Sequence, residues 1–265
     1  MKKRLYIFIT IIIIFIIIVF LVRILNTSRI LRLNDSIKEK YYLTDDRDKD
    51  IKTLSDINNL EQKNKILTPS TDEDLEDNKN DINKKFIELL KTNKEIVGWI
   101  NVPNTKVDYP IVKTSNNNFY LNHNILKKED SSGAIFMDFR NDIEIMDKNT
   151  ILYGHNMKNG TMFKGLMKYK DEDFLKENKI ISFSTLYEDI KWEIFSAYVT
   201  DINFYYIQVN FKNSYEYESF LNNIKGKSMF DTSIDLNSSD NILTLSTCSY
   251  EFDDARFVIH AKRIN

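Results

Sequence analysis

Leu5 to Val22 is an unbroken apolar run of eighteen residues, with polar atoms only on Tyr6 and Thr10, bracketed by Lys2, Lys3 and Arg4 before it and Arg23 after it. At ~1.5 Å of helix per residue the run predicts a span of roughly 27 Å, about the thickness of a bilayer hydrocarbon core. Arg23-Ile24-Leu25-Asn26 offers no small-x-small cleavage site, so residues 1–23 read as a cytoplasmic tip and an uncleaved transmembrane signal anchor. A short basic amino terminus ahead of a first span stays inside as a rule, although Arg23, Arg29 and Arg32 flank the outer end too. This places the rest of a single-pass protein outside the cell membrane.

Residues 24–80 change character. They are polar and charge-mixed, with Asp45-Asp46-Arg47-Asp48-Lys49-Asp50 and Asp72-Glu73-Asp74-Leu75-Glu76-Asp77, and read as a partly helical or disordered stalk. From Asp81, a helix N-cap candidate, Ile82, Phe86, Leu89 and Leu90 recur at helical spacing. Afterwards the period shortens to two. Gly98 to Val102, then Val107, Tyr109 and Ile111 beyond a turn at Pro103-Asn104, predict a first pair of strands. Ala134 to Met137, Thr150 to Tyr153, Lys179 to Phe183, Lys191 to Val199, Asn241 to Thr247 and Arg256 to Lys262 bring the total to about eight. Short strands without regular intervening helices predict a mainly β fold, a closed or nearly closed barrel occupying residues 81–265. One helix interrupts the late strands: Ser214 to Lys225 lacks Gly and Pro and stops at Gly226. An insertion there is expected to wall one side of a cleft.

Composition sharpens the picture in two places. Of 37 basic side chains, four (Lys2, Lys3, Arg4, Arg23) precede residue 24, leaving 33 against 39 acidic ones, which argues against a nucleic-acid partner. There is one cysteine, so no intramolecular disulfide exists, and an exported protein that keeps an unpaired thiol needs a reason for it. A buried structural cysteine is the plain alternative.

That cysteine, Cys248, closes the strand Asn241-Ile242-Leu243-Thr244-Leu245-Ser246-Thr247-Cys248, and Arg256 opens the next. Adjacent strands lie ~4.8 Å apart, so the end of one and the start of its neighbour bring thiol and guanidinium to one rim. Arginine is no base at ordinary pH, but its fork of donors holds an oxyanion. The alternative for Arg256 is an ion pair to Asp253 or Asp254. Only three histidines are present. His123 lies in a polar loop and His260 sits inside a strand, where a structural role is expected. His155 follows the strand Ile151-Leu152-Tyr153 through Gly154, which suits a rim acid/base. Acidic residues cluster in the stalk rather than as a spaced ligand set, so neither a metal nor another cofactor is expected.

Thr244-Leu245-Ser246-Thr247-Cys248 with Arg256 beyond it, and Tyr153-Gly154-His155-Asn156 upstream, resemble the signatures of the sortase family. Val97-Gly98-Trp99-Ile100, Asp108-Tyr109-Pro110-Ile111-Val112 and Gly133-Ala134-Ile135-Phe136-Met137-Asp138-Phe139-Arg140-Asn141 resemble its class B. The resemblance spans about residues 82–264. It implies an eight-stranded barrel and a membrane-anchored cysteine transpeptidase. Such an enzyme cuts secreted proteins after the Thr of an Asn/Ser/Leu-Pro-x-Thr-Gly/Asn sorting motif, holds the acyl group as a thioester, and passes it to an amine of the peptidoglycan precursor. The resemblance implies Cys248 as nucleophile, His155 as acid/base and Arg256 as clamp, with Asn117, Leu121, Tyr206, Ile207 and Ser246 touching substrate. Ile202 is apolar where a relative carries a hydroxyl.

The alternatives are a pilus-type polymerising sortase, an L,D-transpeptidase-like enzyme, and a non-catalytic scaffold. An L,D-transpeptidase would carry Gly before the cysteine and Arg two residues after it, where this chain has Thr247 and Tyr250. A papain-like order, with the cysteine early and the histidine late, is the reverse of this one.

Overall fold

The computed structural model describes residues 2–63, 82–145 and 147–264; the helix cap expected at Asp81 lies outside them. Helix α1 runs Lys2–Lys63. A single 3-10 turn, Lys84–Phe86, leads into α2, Ile87–Thr92, which buries Phe86 and Leu89 and leaves Ile82 exposed. Among the described residues eight strands follow: β1 Ile96–Asn101, β2 Asp108–Val112, β3 Ile135–Met137, β4 Asn149–Tyr153, β5 Ile180–Thr185, β6 Asp189–Thr200, β7 Ile242–Cys248 and β8 Arg256–Arg263. Among the described residues two α-helices lie between them, α3 Glu172–Glu177 and α4 Ser214–Gly226.

The strands close into a barrel in the order β1-β2-β3-β4-β7-β8-β6-β5. Most neighbours are antiparallel, but β2 with β3 and β4 with β7 are parallel. Parallel neighbours need a long crossover. Between β4 and β7 that crossover contains β5, β6 and α4. Strand alternation divides the side chains between two faces. Leu243, Leu245, Phe257 and Ile259 pack in the barrel interior with Leu152, Ile100 and Trp192. Ile242 and Val258 face outward, under Tyr217, Phe220, Leu221 and Ile224 of α4. Those four stand at i, i+3, i+4 and i+7, the stripe a helix needs to lie on a sheet. Asn213 caps α4 by accepting from the Glu216 N–H.

Part of the stretch read as a stalk is docked on the barrel. Ile37 and Tyr41, one helical turn apart on α1, are buried. Tyr41 stacks on Trp99 of β1 with ring centroids 4.2 Å apart. Asp108 collects donors from both sides of this seam: Trp99 Nε1 at 2.7 Å, Tyr42 Oη at 3.0 Å, and the Lys38 ammonium. A polar composition hid two apolar residues at the right spacing. Farther up the helix, side chains from Tyr6 to Val22 are exposed. Among the described residues no helix is long and apolar enough to cross a membrane.

His260 is the buried polar centre of the outer face, and its protonation follows from its partners. Thr244 Oγ1 lies 2.6 Å from Asn149 Oδ1, which can only accept, so the hydroxyl hydrogen goes there. Thr244 Oγ1 therefore accepts from His260 Nδ1–H at 2.8 Å, and the bare Nε2 accepts from the Tyr198 hydroxyl at 2.7 Å. The structural role expected for His260 matches this neutral, fully enclosed ring. Burial pulls its pKa from 6.5 down to about 3. An unfolded chain thus takes up a proton that the fold refuses, and stability present above pH 6.5 is lost as pH falls from there toward 3. The unfolding free energy from urea titration should fall as pH drops from 6.5 to 4.5, with a slope approaching about 1.4 kcal/mol per pH unit from this residue, and His260→Gln should remove that slope. Equal slopes in the two proteins would contradict the assignment.

Candidate active site

The barrel topology gathers one rim. Parallel pairing sets Tyr153 opposite Ser246, so β4 and β7 end on the same side. Antiparallel pairing sets Cys248 opposite Arg256, and Thr200 opposite Arg256 from the other flank. Cys248, Ser246 and Arg256 share the outward-facing alternation of β7 and β8. The ends of β4, β7 and β6 and the start of β8 therefore surround one cleft of ≈ 370 Å³, lined by His155, Cys248 and Arg256 together with Asn117, Leu121, Tyr206, Ile207 and Ser246. Every site residue expected from sequence reaches this cleft. Ile202 lines it as well and is exposed. The cleft wall is the leading segment of the late insertion, 202–207; α4, the helix expected to supply it, contributes no described side chain to the lining and instead supports that segment from behind.

Cys248 is free and half-buried. Its carbonyl accepts from Asn156 Nδ2 at 2.9 Å, and Tyr250 Oη donates to the Asn156 carbonyl at 3.0 Å, so the segment after His155 is fastened to the segment around the thiol. On the far side of the β7–β8 connection Lys170 holds Glu251 and reaches Ser249 Oγ at 3.1 Å. Bonding to Lys170 and Ser249 keeps the Glu251 carboxyl ionised, with its pKa down at about 2. Arg256 donates to the Ala255 carbonyl at 3.1 Å. Among the described residues no ion pair joins it to Asp253 or Asp254, so the guanidinium charge is not neutralised by either neighbour.

His155 Nε2 lies 2.7 Å from the Leu121 carbonyl oxygen. A carbonyl only accepts, so Nε2 carries a hydrogen and Nδ1 is the nitrogen left to exchange a proton. Gly154 makes this placement possible. A β-carbon there would stand 2.4 Å from Ile135 Cδ1 and 2.9 Å from the Phe163 ring. His123, in contrast, stacks on Phe119 at 4.1 Å with Nδ1 against the Phe119 carbonyl, outside the cleft lining.

Tyr206 is buried, and its hydroxyl bonds Ser246 Oγ at 2.8 Å. Burial raises its pKa, the Ser246 hydrogen bond and the Arg256 charge pull it back, and the Cys248 side chain adds a smaller upward push. Asn117 turns its amide away from the opening: Nδ2 donates to Asp138 Oδ2 at 3.0 Å and Oδ1 accepts from the Phe139 N–H at 2.9 Å. Asp138 was not among the expected site residues. It is fully buried, and Arg140 and Tyr153 bond it too, at 2.7 and 2.9 Å. Asp-x-Arg at the end of a strand was the available signal, readable only with the residues it captures.

The family model described as the sortase domain matches residues 100–264. The chain is similar to sortase B of Listeria monocytogenes, 39% identical over 186 residues that make up 69% of this chain and 76% of that one. Similarity to sortase B of Staphylococcus aureus is 38% over 185 residues, again 69% and 76%. A solved Staphylococcus aureus sortase B–substrate complex superposes with a TM-score of 0.75 at 29% identity, covering 91% of this chain and 99% of that one.

Gly154→Ala should lower the unfolding free energy by ~1–3 kcal/mol, measured by urea titration, because Ile135 and Phe163 must yield to the new methyl group. An unchanged midpoint would mean the strand relaxes without cost, and His155 would then not depend on a side-chain-free neighbour.

Proposed function

Because this chain belongs to the sortase family of cysteine transpeptidases, we propose that it acts as a class B enzyme whose nucleophile is Cys248. The observation that carries the reading is the convergence of Cys248, His155 and Arg256 on one cleft from three strand termini. Its substrates are secreted proteins ending in an Asn/Ser/Leu-Pro-x-Thr-Gly/Asn motif. Its acceptor is an amine of the peptidoglycan precursor.

In the first half-reaction the Cys248 sulfur, giving up its proton to His155 Nδ1, attacks the Thr carbonyl carbon. The carbonyl π pair moves to oxygen, and Arg256 supplies donors to that oxyanion. The oxyanion re-forms the carbonyl as the C–N bond breaks, and His155 returns the proton to the departing amine. A thioester remains on Cys248. In the second half the acceptor amine attacks the thioester, His155 takes the amine proton, and the Cys248 thiolate leaves. The Leu121 carbonyl keeps one imidazole nitrogen protonated throughout, so the same Nδ1 serves both halves. Tyr206, Ile207, Leu121 and Ser246 form the apolar and hydroxyl lining for the motif. Asn117 supports that lining through Asp138 and Phe139.

Residues 1–23 complete the reading as the anchor of a single-pass cell-membrane protein with its barrel outside. Support comes from the Leu5–Val22 sequence and its basic flanks alone. With Ile37 and Tyr41 buried against the barrel, fourteen residues, 23–36, separate the apolar run from that contact. At ~1.5 Å of helical rise per residue, the contact sits roughly 20 Å from the end of the run.

Full-length protein in detergent, given motif peptides and hydroxylamine, should cleave them and yield a hydroxamate at the Thr carboxyl, and Cys248→Ala should do neither. Turnover by that variant would remove Cys248 as nucleophile. Arg256→Lys keeps the charge and loses the planar fork, so kcat/KM should drop by an amount corresponding to ~3 kcal/mol; a wild-type rate would return Arg256 to a structural role. For the anchor, full-length protein should remain in the membrane pellet through alkaline carbonate extraction and a chain starting at residue 24 should not. Release of the full-length chain would contradict the span.

A further inference from the structure

Three consecutive backbone carbonyls in the wall of the cleft are each captured by a side-chain donor from the β3–β4 side of the barrel. Arg140 Nη2 donates to the Ile207 carbonyl at 3.0 Å. Asn149 Nδ2 donates to the Gln208 carbonyl at 2.9 Å and approaches the Tyr206 carbonyl at 3.4 Å. The segment carries no secondary structure of its own. Yet Tyr205, Tyr206 and Ile207 all line the cleft. From these contacts we infer that Arg140, held by Asp138, is a positioning residue that presets the substrate-binding wall 205–207. The inference rests on the transpeptidase reading above and deepens it by naming what fixes the binding groove.

Both donors are themselves immobilised. Asp138 is fully buried and grips Arg140 through two bonds, Nε to Oδ1 at 2.8 Å and Nη2 to Oδ2 at 2.7 Å, the bidentate geometry that only a planar fork supplies. Burial pushes the Asp138 carboxyl up, but the Arg140 bonds, the Tyr153 hydroxyl and the guanidinium charge outweigh it and leave the pKa below the ordinary carboxylate range. Arg140 Nη1 also reaches the Tyr205 hydroxyl at 3.3 Å. Asn149 is held by the hydrogen-bond chain that begins at Tyr198, in which each hydrogen points the same way: Tyr198 to His260, His260 to Thr244, Thr244 to Asn149, Asn149 to Gln208. A loop tied at successive carbonyls cannot slide by one residue without breaking every tie. Tyr206, whose hydroxyl meets Ser246 two residues from Cys248, is thereby kept in register with the thiol.

Neither Arg140 nor Asp138 touches the reacting atoms, so their loss should appear in substrate binding before chemistry. In Arg140→Ala, KM for a motif peptide should rise about tenfold to a hundredfold, the range of a lost hydrogen bond to a charged group, with kcat within about threefold of wild type. Alkylation of Cys248 by iodoacetamide, which needs no groove, should keep its wild-type rate. Amide hydrogen exchange across 203–208 should accelerate while β7 and β8 stay protected. Arg140→Lys should not rescue KM, because a single nitrogen cannot occupy both the Nε and the Nη2 positions from which Arg140 bonds Asp138 and the Ile207 carbonyl. A wild-type KM in Arg140→Ala, or equal losses in KM, alkylation and β7–β8 protection, would overturn the inference. If the alanine variant does not fold, Arg140→Lys is read alone: a raised KM supports the clamp and a wild-type KM overturns it. Should the wild-type chain cleave no motif peptide, the proposed function fails, and exchange across 203–208 still decides the clamp, with faster exchange in the variant supporting it and unchanged exchange overturning it.

Discussion

The parallel pairing of β4 with β7 is the constraint on which the site depends. Antiparallel neighbours alone would send successive strand ends to opposite rims. Here the chain leaves β4, builds β5, β6 and α4, and returns alongside β4 in the same direction. That return puts His155 and Cys248 at one rim, and the turn into β8 adds Arg256 to it. Strand backbones hold such positions more rigidly than loops, so His155, Cys248 and Arg256 share a frame set by the barrel itself.

Around that frame the structure spends buried polar groups where backbone would otherwise be loose. Asp138 gathers Arg140, Tyr153 and Asn117. His260 passes one directional chain of hydrogen bonds outward to Asn149. Leaving such groups unpaired would cost more than the pairs themselves contribute, so the networks act mainly by excluding other arrangements of the loops they touch. On the opposite flank Asp108 plays a similar part for helix α1, joining Trp99, Tyr42 and Lys38. The helix is seated on the barrel by those contacts rather than trailing from it.

Much of this was readable from the chain. Eight strands and the late helix follow from apolar alternation, and their ends agree with the observed ones to within one or two residues in most cases. Cys248 and Arg256 as cross-strand neighbours follow from the seven residues between them. What alternation cannot supply is pairing between strands distant in sequence. The β4–β7 register is non-local, so the nearness of His155 to Cys248 rested on resemblance. Asn117 came only from the resemblance, and its bonds to Asp138 and Phe139 were not readable from the chain. Ile37 and Tyr41 were masked by charged neighbours, since composition averages over a helix face that packing resolves residue by residue.

The most direct measurement of the central claim is a crystal structure of the protein with Cys248 alkylated by a sorting-motif peptide ending in a chloromethyl ketone. The account predicts the peptide between the 205–207 wall and Leu121, the ketone oxygen facing the Arg256 guanidinium, and the His155 imidazole against the same reacting carbon. A peptide seated elsewhere, with imidazole and guanidinium both turned away from the bonded sulfur, would contradict it.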